Sequence, residues 1–152
     1  MASVRSVREL PADPQTVWTL ITDWPAHGRW IPLTTVTLDA DSPVQVGLGT
    51  RFTGRTGLGP AGFDDPMTVT EWQPPRAAEP GRCRVVKRGR WLAGWAEIEV
   101  SPAGAGSRVV WTEDVSPRWT PGFAAPLVSL IGNRLFDRTI SRLAAELADR
   151  PA

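Results

Sequence analysis

The chain has one cysteine, one histidine, one lysine and no tyrosine among its 152 residues. A lone Cys83 excludes an intramolecular disulfide. With only His27 beside it, and no C-x-x-C or H-E-x-x-H spacing, neither a structural metal nor a metal cofactor is expected. The missing tyrosine removes one common proton donor from any acid–base chemistry. No run approaches the ~18 consecutive apolar residues of a membrane span, so stable membrane insertion is not expected. No charged-then-apolar leader opens the sequence, and the expected location is the cytoplasm. The formal charge is +1, from 17 basic and 16 acidic residues, which gives no electrostatic case for nucleic acid.

Tryptophan is in excess, with eight residues. It supplies large apolar area with a single donor, which suits a roomy apolar interior. All basic residues but Lys87 are arginine, and the densest tract, Arg82 to Arg90, reads as a cationic strand face. The length predicts a single domain over residues 1–152, able to bury ~68–70% of its unfolded surface without a staple.

In chain order, Ser3 to Leu10 reads as a strand. Asp13 and Pro14 form an N-cap and first helical position, so a short helix is predicted over Pro14 to Ile21. Asp23 is placed to cap a second short helix, entered by Trp24 and Pro25 and ending near Trp30. Strands follow at Leu33 to Ala40 and Thr50 to Thr56. The loop Gly57-Leu58-Gly59-Pro60-Ala61-Gly62-Phe63 is glycine-rich but lacks the Lys-Ser/Thr pair of a phosphate loop, and no nucleotide cofactor is expected. Asp64 and Asp65 read as solvated loop acids. Further strands are predicted at Met67 to Gln73, with clean alternation, then Arg82 to Trp91, Gly94 to Ser101 and Arg108 to Ser116. The last two are joined by a P-A-G-A-G hairpin. Consecutive strands with short connections predict an antiparallel sheet.

Pro121 to Asp149 predicts a long helix. Val128, Gly132, Phe136, Ile140, Leu143 and Leu147 recur at three- and four-residue steps on one face. Arg134, Asp137, Arg138 and Arg142 occupy the other. Before Gly132 the helix is apolar all round, through Phe123, Leu127, Val128, Leu130 and Ile131, which requires cover on all sides or a greasy partner. A mid-helix glycine costs ~1 kcal/mol relative to alanine. It reads either as close packing or as room cleared for a ligand.

This order resembles the helix-grip superfamily, the START/Bet v 1-like group that includes polyketide cyclase/dehydrase and lipid-transport-like proteins (SRPBCC). The resemblance is carried by L-P-A-D-P-Q-T-V-W-T-L-I-T-D-W-P at Leu10 to Pro25 and R-W-I-P at Arg29 to Pro32. It continues through G-L-G-T-R-F at Gly47 to Phe52, G-S-R-V-V-W-T at Gly106 to Thr112 and the terminal helix. It implies an α+β fold in which a curved seven-stranded antiparallel sheet wraps a long C-terminal helix, with two short helices after the first strand. It also implies a cavity between sheet and helix. The group shares no catalytic motif: members bind lipids, hormones or quinones, act on polyketides, or serve as chaperone cofactors.

The expected partner is therefore a hydrophobic small molecule such as a lipid, quinone or polyketide. Leu58, Phe63, Leu127 and Ile131 are expected at the mouth of the cavity. Val128, Gly132, Leu135 and Phe136 are expected in its roof, and Phe52, Met67, Val69, Trp91 and Trp111 in its walls. Selectivity would come from a few polar groups among apolar walls. Glu97 and Glu113 are the candidates, and their faces depend on hairpin register. If paired residue numbers sum to 210, the two acids oppose each other. If they sum to 209, Ala96 faces Glu113 and Ile98 faces Trp111, which gives the better apolar face. Two alternatives remain: a cyclase-like enzyme using Glu97, Glu113 and Arg134, and an interaction module docking through Phe123, Leu127 and Leu130. His27, in P-A-H-G, reads as a surface turn histidine, and Cys83 as an inert buried thiol. Trp18, Trp24, Trp30 and Trp72 are expected in the core, with Trp91, Trp95, Trp111 and Trp119 nearer the cavity.

Overall fold

A computed structural model describes the backbone of residues 2–118 and 125–149, and the side chains of residues 4–118, 134 and 137–149. Strand β1 (Ala2–Leu10) is followed by helix α1 (Pro14–Ile21), a 3-10 turn (Trp24–Ala26) and helix α2 (His27–Trp30). Six strands come next: β2 (Thr34–Leu38), β3 (Arg51–Thr56), β4 (Phe63–Gln73), β5 (Gly81–Arg88), β6 (Leu92–Ala103) and β7 (Gly106–Pro117). Helix α3 (Ala125–Ala148) closes the order. The seven strands form one antiparallel sheet in the order β1-β7-β6-β5-β4-β3-β2. Strands β2 to β7 are a simple meander, while α1 and α2 carry the chain from β1 to the far edge. This is the helix-grip α+β architecture.

Local chemistry sets the ends of α1. The Asp13 carboxylate accepts from the Thr16 N–H at 3.0 Å and from its hydroxyl at 2.6 Å, which holds the Asp13 pKa below its usual value. Pro14 occupies the first turn. Asp23 makes no side-chain cap, contrary to expectation. The 3-10 turn is closed instead by the Ala26 N–H on the Asp23 carbonyl at 3.0 Å.

The second half of α3 anchors it. Ile140, Leu143 and Leu147 are buried at the three- and four-residue spacing read from the sequence, each stabilising by roughly 1.5–3 kcal/mol. Glu146 ties α3 to α2, accepting from Arg29 and from the Trp30 indole N–H at 2.6 Å each. Arg142 donates to the Trp30 carbonyl at 3.3 Å.

Two strand features differ from expectation. Strand β4 begins at Phe63, so Asp64 and Asp65 lie in the sheet rather than in a loop. Pro66 is tolerated because pairing with β5 starts only at Met67, and residues 63–66 have β3 alone as neighbour. The alternation of β4 is also broken. A bulge between Val69 and Glu71 re-aims the strand, so Trp72 packs inward against Trp18 with ring centroids 5.0 Å apart.

Candidate functional site

The β6–β7 register decides the cavity wall. Ala96 pairs with Glu113, Ile98 with Trp111 and Val100 with Val109, the register whose numbers sum to 209. Directly opposed residues share a face, so Glu113 and Trp111 point inward with Ala96 and Ile98. Glu97 pairs with Thr112 and lies on the outer face, where Arg84 holds it at 3.3 Å. Arg84 also lies 4.3 Å from the Trp95 ring, so Trp95 belongs to that outer face as well.

Between the inner face of the sheet and the helices lies a cavity of about 410 Å³. Phe52, Phe63, Met67, Trp111 and Glu113 all line it, so five of the candidate residues come together at one site. Other expectations on the described residues do not meet there. Val69 is buried beneath it in the core at 1% exposure, fixed through backbone bonds to Gly49 and Thr50. Leu58, 70% exposed, caps a short 3-10 turn (Gly59–Ala61) that carries it outward. Trp91 follows the end of β5 and is exposed, with Arg90 against its ring. Arg134 is exposed too, so the enzyme reading loses Glu97 and Arg134 from its three groups. Leu127, Val128, Ile131, Gly132, Leu135 and Phe136, and also Trp119, Phe123 and Leu130, lie outside the residues whose side chains are described.

Three ionisable groups line the cavity besides Glu113, none of them expected there: His27, Asp65 and Lys87. His27 is buried, a reversal of the surface reading. Its ring is packed among Trp24, Trp30 and Trp111, with centroids 5.4, 5.0 and 5.8 Å away. Its Nε2–H donates to the Ile21 carbonyl at 2.7 Å, and burial pushes its pKa down to about 4. The spacing of Trp24, His27 and Trp30 at three-residue steps was a legible signal that all three share a helical face. Phe52 stacks on Trp24 at 4.7 Å with planes 5° apart, extending the aromatic wall into β3.

Asp65 and Lys87 are the other two. Their side chains are 8% and 11% exposed, and Lys87 Nζ lies 2.5 Å from Asp65 Oδ2. Period-two reading of β5 contains the signal for Lys87: it shares a face with buried Cys83 and Val85, whereas Arg82, Arg84 and Arg88 share the opposite one. For Asp65 the sequence held no such signal, because Pro66 disguises the strand. Cys83 behaves as expected: burial raises its pKa to about 12, keeping the thiol protonated.

Small residues open the space between these groups. Gly94 pairs with Lys87 on one side and Val115 on the other, and Ala96 pairs with Val85 and Glu113. Gly94 sits at φ +131°, and a Cβ there would strike the Asp114 carbonyl at 1.8 Å, so only glycine fits. Across this thin strip of β6, Glu113 approaches Lys87 diagonally. Burial is the main cause that raises the Glu113 pKa, with Asp65 adding to it. Lys87 and a hydrogen bond from Trp111 oppose the rise.

A raised folded-state pKa means stability present below the unfolded pKa of ~4.3 and lost as pH rises through the folded value. Glu113→Gln cannot titrate and escapes this loss. It should therefore gain stability relative to the parent at about pH 8 and show no comparable gain at about pH 4. Urea midpoints at the two pH values check this.

A seven-stranded antiparallel sheet closed over an apolar cavity by two short helices and a C-terminal helix defines a START-like, helix-grip protein. The chain belongs to the family described as polyketide cyclase / dehydrase and lipid transport, which it matches over residues 1–148. Its fold is similar to that of a protein from Thermobifida fusca (27% identity, TM-score 0.66, covering 97% of this chain and 93% of that one). It is also similar to a START superfamily protein from Mycobacterium smegmatis (13% identity, TM-score 0.73, 96% and 97%). A third similar structure is the XoxI protein of Bacillus cereus (14% identity, TM-score 0.68, 98% and 97%). No curated protein sequence matches. Among the described residues, no helix is long and apolar enough to cross a membrane, and no group of three or more His, Cys, Asp or Glu could hold a metal ion.

Proposed function

We propose that this chain, as a single cytoplasmic domain, binds a hydrophobic small molecule of lipid, quinone or polyketide type in the cavity between sheet and helices. The observation that carries this reading is the cavity itself. Its volume of about 410 Å³ falls in the ~300–1,000 Å³ range of small-molecule sites. Its walls are mainly aromatic and aliphatic, with a few polar groups gathered toward Lys87, the composition that binds an apolar body and orients one polar end. Membership in the polyketide cyclase / dehydrase and lipid transport family supports it.

Gly54 provides the test. It lines the cavity, and a Cβ built there meets only Met67 Cε at 3.6 Å and Thr34 Cγ2 at 3.9 Å, which is ordinary contact. A leucine at this strand position costs the backbone nothing and projects into the cavity. N-phenyl-1-naphthylamine, a neutral fluorescent probe, should bind the parent protein. Gly54→Leu should weaken that binding at least about tenfold while leaving the circular dichroism spectrum intact. Unchanged binding in a folded Gly54→Leu protein, or no binding to the parent, would sink the reading.

A further inference from the structure

The polar end of the cavity has an uneven hydrogen-bond inventory. Asp65 Oδ2 takes the Lys87 ammonium, but Asp65 Oδ1 is buried with no hydrogen-bond partner among the described residues. Lys87 has three N–H donors. One goes to Asp65, and a second has only the weak acceptor Met67 Sδ at 3.6 Å. Elsewhere in the cavity, Trp24 Nε1 is a buried donor with no partner among the described residues, but it can only donate, and several other polar groups are already engaged. The Thr34 and Thr56 hydroxyls bond each other at 2.9 Å, and His27 donates to Ile21. A buried carboxylate oxygen left unpaired costs more than a bond made is worth, so this position favours an incoming donor.

What fits is a group that donates to Asp65 Oδ1 and accepts from Lys87 Nζ. A hydroxyl does both with one oxygen. A ketone or ether accepts only and leaves Asp65 Oδ1 unpaired. A carboxylate cannot donate. It would also add a negative charge beside Asp65 and Glu113 where Lys87 is already neutralised by its partner. We infer that the Asp65–Lys87 pair is the recognition point for a hydroxyl on an otherwise apolar, uncharged ligand, such as a phenol or an alcohol. This inference rests on the cavity reading above and specifies the ligand's polar end.

The experiment measures displacement of N-phenyl-1-naphthylamine by four probes of one shape: naphthalene, 2-methoxynaphthalene, 2-naphthol and 2-naphthoate. In an apolar site without polar partners, the hydroxyl of 2-naphthol only weakens binding, because it must be stripped of water. Here 2-naphthol should bind about tenfold tighter than naphthalene and 2-methoxynaphthalene, and 2-naphthoate should bind weakest. The apolar double replacement Asp65→Leu with Lys87→Met should erase the hydroxyl advantage, read as the ratio of 2-naphthol to naphthalene affinity. Equal binding of 2-naphthol and 2-methoxynaphthalene to the parent protein overturns the inference, as does 2-naphthoate binding tightest. A retained hydroxyl advantage in the folded double variant overturns it too. Any of these results leaves the cavity reading standing, provided the probes bind. If neither N-phenyl-1-naphthylamine nor any naphthalene derivative binds, both fall together. The parent series decides the matter whether or not the double variant folds.

Discussion

Lys87→Met is expected to destabilise the protein by about 3–5 kcal/mol, the cost of leaving one partner of a buried ion pair uncompensated. For a chain of this length that corresponds to a melting temperature lower by about 10 °C. The cost is this large because neither side chain has ready access to water: Asp65 is 8% and Lys87 11% exposed. The surface pairs Arg51–Asp41 and Arg55–Asp64 are at least half exposed at one partner and nearly so at the other, and breaking them should cost ~1 kcal/mol or less. The pair as a whole adds little, since desolvating two charges offsets most of their attraction. Asp65→Leu combined with Lys87→Met should therefore return most of the lost stability. Thermal unfolding of the single and double variants separates the two cases. A single variant as stable as the parent would show that water reaches Asp65 freely.

The second large effect is acid lability from His27. Its folded-state pKa is depressed to about 4 by burial, below the model-peptide value of 6.5. A neutral imidazole buried in this way contributes stability above the unfolded pKa. That contribution is lost as pH falls from 6.5 toward 4, because the unfolded chain takes a proton that the folded one refuses. At about 1.36 kcal/mol per unit, the span amounts to roughly 3 kcal/mol. His27→Gln keeps a side-chain N–H for the Ile21 carbonyl but does not titrate in this range. Its stability should be flatter over the same interval, by about one proton in the slope of unfolding free energy against pH. Parallel slopes for parent and variant would show that His27 is hydrated and titrates normally.

Both predictions concern residues whose inward face local spacing hints at but whose partners it does not name. His27 lies in a Pro- and Gly-flanked segment that looks like a turn, yet the short helix α2 folds it under Trp111 of the sheet. Trp24 is in the core as expected, and its stacking on Phe52 also makes it part of the cavity wall. Asp65 looks like a loop acid because it precedes a proline, and only the absence of a β5 partner at that end of β4 lets the strand include it. In each case the deciding contact is to a residue far away in the chain, which local periodicity does not encode.

Elsewhere the pattern was sufficient. The bounds of α1 follow from Asp13, Pro14 and the buried spacing of Val17, Trp18, Leu20 and Ile21. The β6–β7 register was only half legible: the sequence left two pairings open, and the structure takes the one with the better apolar face, which puts Glu113 inside and Glu97 outside. Phe52, Met67 and Trp111 were legible as wall residues because each sits in an alternating strand. Val69, Leu58 and Trp91 were not, because alternation tells inside from outside but not cavity from solid core, nor where a strand ends.

By itself, then, the sequence determined the order of elements, the antiparallel meander and the anchoring face of α3, all consequences of period-two and period-3.6 burial with local caps and turns. Tertiary structure alone decided that Asp65, Lys87 and Glu113 meet. They come from three different strands and are brought together by pairing register, a displaced strand start and the small residues Gly94 and Ala96 between them. A polar group's cost depends on what surrounds it, and that surrounding exists only once the sheet has closed.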